Sequence, residues 1–333
     1  MIVFLGGPLL DIIANVDVDY LKKYNLKPDE TVSASSEHED IFMDILKLDP
    51  IILPGGSVTN SARVMNWICG KRYRIVFAGA VGDDTFGHLI KGKFEEEKIH
   101  HHLVEVKNER TGVCAVLLTG QYRTLVSRLG ASKCFTKENL DKHMWGHLQR
   151  AQFIYISAFF LGVSFEVIKD IFSHFKENSK TVIVNLAATF LSNDYPKEIT
   201  YLFEHGDIVF GNENEYKAFL AIHDRTECNI EDILPKLNKI FNKKPDRLLV
   251  MTRGSKPLYV LHQTELQEFP VSLIVKEDIV DSNGAGDAFV GGFLAQYVHG
   301  GSPNECVRCG TWAAREVLQH NGCSFDMNKV YDE

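Results

Sequence analysis

The sequence predicts an α/β fold of three layers: a central, mostly parallel sheet between helices, with a small β-rich lid. Three observations predict it. Short, nearly unbroken apolar runs recur along the 333 residues, as strands buried on both faces of a parallel sheet do. Amphipathic segments lie between those runs, which is the alternation of a doubly wound architecture. Two stretches break the rhythm and read as an inserted β unit.

The elements follow in order. The start, MIVFLGGPLLDII (1–13), is apolar but has no basic leader and is interrupted by Asp11. It reads as a first strand and not as a signal peptide. PGGSVTNSARVMNW (54–67) reads as a Gly-Gly turn leading into a helix over 57–69. RIVFAGAV (74–81), FIYIS (153–157), TVIVNL (181–186), DIVFGN (207–212) and RLLVMT (247–252) are rich in β-branched or aromatic residues and read as buried strands. FEVIKDIFSHFKEN (165–178) carries apolar residues at 165, 168, 171, 172 and 175, the spacing of one helix face. DAFVGGFLAQYV (287–298) and NECVRCGTWAAREVL (304–318) read as helices too. The second encloses Cys306 and Cys309, which without a second pair at zinc spacing read as packing. HHH (100–102) reads as a solvated helix end and strand start, not a metal cluster. Residues 16–45 and 101–129 form the expected lid. Residues 1–15, 46–100 and 130–333 form the expected large catalytic unit.

Composition narrows the function. Lys and Arg number 36 against 44 Asp and Glu, a net charge of −8, which lacks the positive footprint that nucleic acid requires. Seven cysteines fit a reducing, cytoplasmic setting better than a disulfide scaffold. With no apolar run of about 18 residues, no membrane span is expected.

DSNGAGDAFVGGF (281–293) carries the most chemistry. Gly284, Ala285 and Gly286 leave main-chain N–H groups bare at the start of a helix, where they lack internal partners and meet the positive end of the dipole. Such a helix start binds anions, phosphate above all. Asp287 beside it would repel a merely bound anion. As a proton acceptor for a hydroxyl attacking phosphorus it makes sense. A tight turn with Asp287 as an N-cap would use the same residues.

This stretch resembles the C-terminal signature of the PfkB, or ribokinase-like, family of carbohydrate and nucleoside kinases. That family's pattern is D-[TS]-x-G-A-G-D, and PGGSVTNSARVMNW resembles its second signature. The resemblance spans essentially the whole chain. It implies a ribokinase-like fold, Asp287 as catalytic base, Gly284 to Gly286 as anion hole, and ATP and Mg²⁺ as cofactors. Further stretches resemble the members that phosphorylate adenosine. GGPLLDI (6–12) implies Asp11 at the ribose hydroxyls, and GGSVTNS (55–61) implies Gly56 and Asn60 there too. TGVCAVLLTGQYRTLVSRLGAS (111–132) implies Cys114, Leu125 and Leu129 around the nucleoside and Arg123 near the transferring phosphate. SAFFLGVS (157–164) implies Phe159 and Val163 in an apolar slot for the base, and Asn283 joins the substrate side. GNENEY (211–216) implies Asn212 and Glu215 organising Mg²⁺ through water, though the pair also fits a capping box. Thr252 and Gly254 complete the nucleotide side.

Three positions depart from the family pattern. Gly6-Gly7-Pro8 stands where Gly-Asn-Pro is usual, Val58-Thr59 where Thr-Gln is common, and Ser127 where relatives have a small apolar residue. The implied partners are adenosine and ATP, with no nucleic acid or membrane, and a monomer is compatible. A sugar kinase of the same family, acting on ribose or fructose, and a non-catalytic nucleoside-binding protein are the alternatives.

Overall fold

The computed structural model describes residues 1–120, 122–272 and 274–332. In chain order its strands are β1 (Ile2–Leu5), β2 (Leu9–Asn15), β3 (Thr31–Ser33), β4 (Ile51–Gly55), β5 (Ile75–Gly82), β6 (His100–Val106), β7 (Val113–Thr119), β8 (Tyr122–Arg128), β9 (Phe153–Ser157), β10 (Thr181–Asn185), β11 (Ile208–Asn212), β12 (Leu248–Thr252), β13 (Leu258–His262) and β14 (Glu265–Phe269). Among the described residues they form two sheets. A nine-stranded sheet runs β14-β13-β12-β11-β10-β9-β1-β5-β6, and a five-stranded sheet runs β3-β8-β7-β2-β4.

The large sheet is parallel from β12 through β6, with the antiparallel hairpin of β13 and β14 at its far edge. Its strands feed two separate apolar cores. Ile2 and Phe4 enter one while Val3 and Leu5 enter the other. Tyr155 and the pair Ile154 and Ile156 divide in the same way. Side chains alternate across a strand, so β1 and β9 are buried on both faces, and three layers result. The helices Ser57–Cys69, Ala285–Tyr297 and Pro303–Val317 cover one face. Phe165–Glu177, Pro196–His205 and Glu213–Ala221 cover the other. No helix among the described residues is long and apolar enough to cross a membrane.

The expected unit boundaries shift at three strands. The opening apolar run is two strands, not one: β1 lies in the large sheet, and β2 pairs with β4 and β7 in the small one. Gly6-Gly7-Pro8 makes the crossing, because an unbroken strand could not serve both sheets. Residues 51–55, expected in the large unit, also belong to the small sheet. Strand β6 (100–106), of which 101–106 were expected in the lid, pairs parallel with β5 on the large sheet. This strand ends the sheet, so its half-exposed pattern looks like a lid strand in sequence. The antiparallel pair expected within 101–129 is β7 with β8.

Candidate active site

The two sheets enclose a cavity of about 850 Å³ at the C-terminal ends of the parallel strands, the usual ligand position in open α/β sheets. Its wall includes Asp11, Gly56, Asn60, Cys114, Arg123, Leu125, Leu129, Phe159, Val163, Asn212, Glu215, Thr252, Asn283, Gly284, Gly286 and Asp287. Gly254 is not on the wall. It occupies the turn after β12 at φ +61°, two residues beyond Thr252.

Helix Ala285–Tyr297 begins at Gly284, which is left-handed (φ 78°). An L side chain is disfavoured there, and a Cβ would come within 2.6 Å of Cys323 Cβ. Asp287 is therefore not the N-cap. It lies one turn in, and its carboxylate is held from another helix. Ser57 Oγ donates to its Oδ1 (2.7 Å) and Asn60 Nδ2 to its Oδ2 (2.9 Å). Ser61 Oγ donates to its main-chain carbonyl (3.0 Å). Positions 57, 60 and 61 share one helix face, so three contacts converge on one residue. Asn60, expected at the sugar, lines the cavity; its Nδ2 serves the base, while its Oδ1 is buried without a partner among the described residues.

The anion loop is more selective than Gly-Ala-Gly suggests. Ala285 N–H leans on Ser282 O at 3.4 Å. Among the described residues the N–H groups of Gly284 and Gly286 meet no acceptor and remain for a ligand. A Cβ on Gly286 would meet nothing within 4 Å, because that side faces open cavity. Asp281 anchors the loop: its carboxylate accepts from Asn283 N–H (2.8 Å) and Gly322 N–H (2.9 Å). Arg123 on β8 brings Nη1 to 4.0 Å from the same carboxylate, and its Nε is buried without a partner.

Across the cavity, Asp11 is 5% exposed, and among the described residues no donor reaches its carboxylate. It lies over the main chain of Gly55, where a Cβ would strike Oδ1 at 2.1 Å. Burial, reinforced by the charges of Asp287 and Asp281, pushes Asp11 up to about 7. Burial also lifts Asp287 to about 6, although Ser57, Asn60 and Arg123 favour its charged form. A buried carboxylate left without donors needs a ligand that donates to it.

Gly56 has φ +93°, and a Cβ there would reach Gly7 O at 2.7 Å. Only glycine lets the two crossings between sheets touch. Cys114 accepts a long contact from Ser127 Oγ (3.6 Å). Phe159 is 45% exposed and faces Phe190, ring centroids 6.3 Å apart. Asn212 and Glu215 form a capping box: Asn212 N–H and Nδ2 donate to the two Glu215 oxygens, and Glu215 N–H donates to Asn212 Oδ1. Burial raises Glu215 to about 7. Each Glu215 oxygen already accepts one hydrogen bond and keeps one lone pair. That donor set suits Mg²⁺ held through its water shell, not bound directly.

Sequence reasoning missed Ser57, Ser61, Asp281 and Phe190. The spacing of Ser57, Asn60 and Ser61 could have revealed the clamp, and Asp281 is the first residue of the quoted signature. Phe190 comes from a separate helix and left no signal.

Residues 52–330 match the family model described as pfkB family carbohydrate kinase, and the chain belongs to that family. Its similar relatives are adenosine kinases. Adenosine kinase 1 of Arabidopsis thaliana is 34% identical over 96% of this chain and 94% of its own. Adenosine kinase of Saccharomyces cerevisiae is 32% identical over 99% and 98%. The crystal structure of Anopheles gambiae adenosine kinase, in complex with P1,P4-di(adenosine-5) tetraphosphate, superposes with a TM-score of 0.92 at 34% identity. It covers 100% of this chain and 99% of that one.

Proposed function

We propose that this chain transfers the γ-phosphoryl group of ATP to the 5′-hydroxyl of adenosine, giving AMP and ADP. One observation carries the reading. A carboxylate clamped by two donors stands beside two unused helix-start N–H groups, and a buried, unpartnered carboxylate faces them across one cavity. Asp11 accepts from the ribose diol, a use that suits an acceptor-only group. Phe159, Phe190, Leu125, Leu129 and Val163 give the purine an apolar wall. That wall favours a nucleoside over ribose or fructose.

The 5′-hydroxyl faces Asp287. Near neutral pH Asp287 is ionised and can take the hydroxyl proton as the new O–P bond forms and the bond from γ-phosphorus to the bridging oxygen breaks. ADP departs with that electron pair. General-base help of this kind is worth about 10²–10⁴-fold. Gly284 and Gly286 N–H groups stabilise the charge spread over the transferring group, and Arg123 adds a forked donor set. Thr252 lies on the nucleotide side of the wall. Asn212 and Glu215 would hold Mg²⁺ through its water shell, where it would neutralise charge on the phosphates. The small sheet roofs the cavity and limits water, the competing acceptor.

The test is a coupled assay for ADP release with adenosine, ribose and fructose, each with and without Mg²⁺. Adenosine-dependent, Mg²⁺-dependent release is expected. Release with ribose or fructose alone would make the chain a sugar kinase, and no release with any acceptor would make it a binding protein.

A further inference from the structure

Arg63 is one turn beyond Asn60 on helix Ser57–Cys69 and is 4% exposed. Each of its three guanidinium nitrogens donates a hydrogen bond. Nε and Nη2 donate to the carboxylate of Glu97 at 2.7–3.1 Å, and Nη1 donates to the main-chain carbonyl of Cys323 at 3.0 Å. The plane also lies over the Phe325 ring, 5.5 Å from its centroid. Phe325 in turn stacks on Trp67 of the same helix, centroids 4.6 Å apart at 19°.

The Cys323 contact is the informative one. Cys323 backs the anion loop so closely that a Cβ on Gly284 would lie 2.6 Å from its own Cβ. Its neighbour Gly322 donates to Asp281, which also anchors Asn283 N–H. The segment 322–325 is therefore wedged between the anion loop and the helix whose Ser57 and Asn60 hold Asp287. A buried ion pair alone is a weak reason for an arginine, since apolar residues of similar size often replace one without loss. The bond to a loop-backing carbonyl is a different matter. It needs a fork that can serve Glu97 and Cys323 together, which a lysine, as a point charge, lacks.

We infer that Arg63 is a positioning residue that keeps the base and the phosphate-binding loop in register through the Cys323 carbonyl. The inference rests on the phosphoryl-transfer reading above. Arg63 is not on the cavity wall; it sets where Gly284 and Gly286 stand relative to Asp287. Misplacement of about 1 Å between reacting groups costs on the order of 10²-fold.

Two variants test it, with wild-type ADP release from adenosine as the reference. Arg63→Lys keeps a cation beside Glu97 but gives up the fork. Its kcat should fall about 10- to 100-fold, with adenosine dissociation, followed by Trp fluorescence, changed less than about threefold. Arg63→Met with Glu97→Met removes the buried charges together. It should recover the wild-type melting temperature but not kcat. A wild-type kcat in either folded variant overturns the inference, as does a loss confined to adenosine binding. Failure of the wild-type enzyme to turn over adenosine would instead overturn the functional reading, so the two are read separately.

Discussion

Replacing Asp11 by Asn should make the ligand-free protein more stable and a worse enzyme. The folded state holds Asp11 near 7 against a usual 3.8. At about 1.36 kcal/mol per pH unit, keeping it ionised costs the fold on the order of 4 kcal/mol. The unfolded chain loses this proton near 3.8 and the folded chain near 7. Between those values the folded state binds more protons, so stability falls as pH rises through the window. The Asn side chain has no such window. In urea at about pH 8, without ligand, the variant should outlast wild type by about 3–4 kcal/mol. The gap should shrink to about 1 kcal/mol near pH 4.5. Adenosine affinity should fall about 10- to 100-fold, as for a lost charge-assisted hydrogen bond. An Asp11→Asn protein no more stable than wild type at about pH 8 would refute the reasoning, because the carboxylate would then have partners the structure does not provide.

Burial lifts Asp287 of the free enzyme to about 6 and it acts only when ionised, so kcat/KM for adenosine should rise with pH through about 6. Asp287→Asn should remove that limb and lower kcat about 10²–10⁴-fold while leaving adenosine binding measurable by calorimetry. Gly286→Ala and Gly284→Ala should part company. The first has open space for its methyl and should melt like wild type yet lose turnover. The second meets Cys323 and a positive φ, and should lose about 1–2 kcal/mol of stability as well. Phe159→Ala should raise KM for adenosine about 2- to 10-fold with an unchanged melting temperature, since the ring is already 45% exposed.

Much of this was legible in the sequence because it is local. The helix over 57–69 has the expected bounds, and the buried strands lie where β-branched runs placed them. The glycines of the anion loop announce themselves by type. What was not legible depends on partners distant in the chain. β1 lies between β9 and β5, about 150 and 70 residues away, and no periodicity encodes that choice. The crossing at Gly6-Gly7-Pro8 was hidden by apolar residues on both sides. The bond from Asn60 to Asp287 was not legible because the two are 227 positions apart. The pairing of Arg63 with Glu97 left no sequence signal, since the two are 34 positions apart. Loose engagement of Ala285 N–H depends on how the turn closes on Ser282, which residue types alone do not fix.

The contact between Gly56 and Gly7 has one more consequence. Asp11 rides on the small sheet, while Asp287 stands on a helix of the large one, and the glycine pair is where two connections between the sheets touch. An acceptor must therefore be long enough to touch both shores. The enzyme carries its own calliper, and a molecule too short to span the gap leaves one jaw empty.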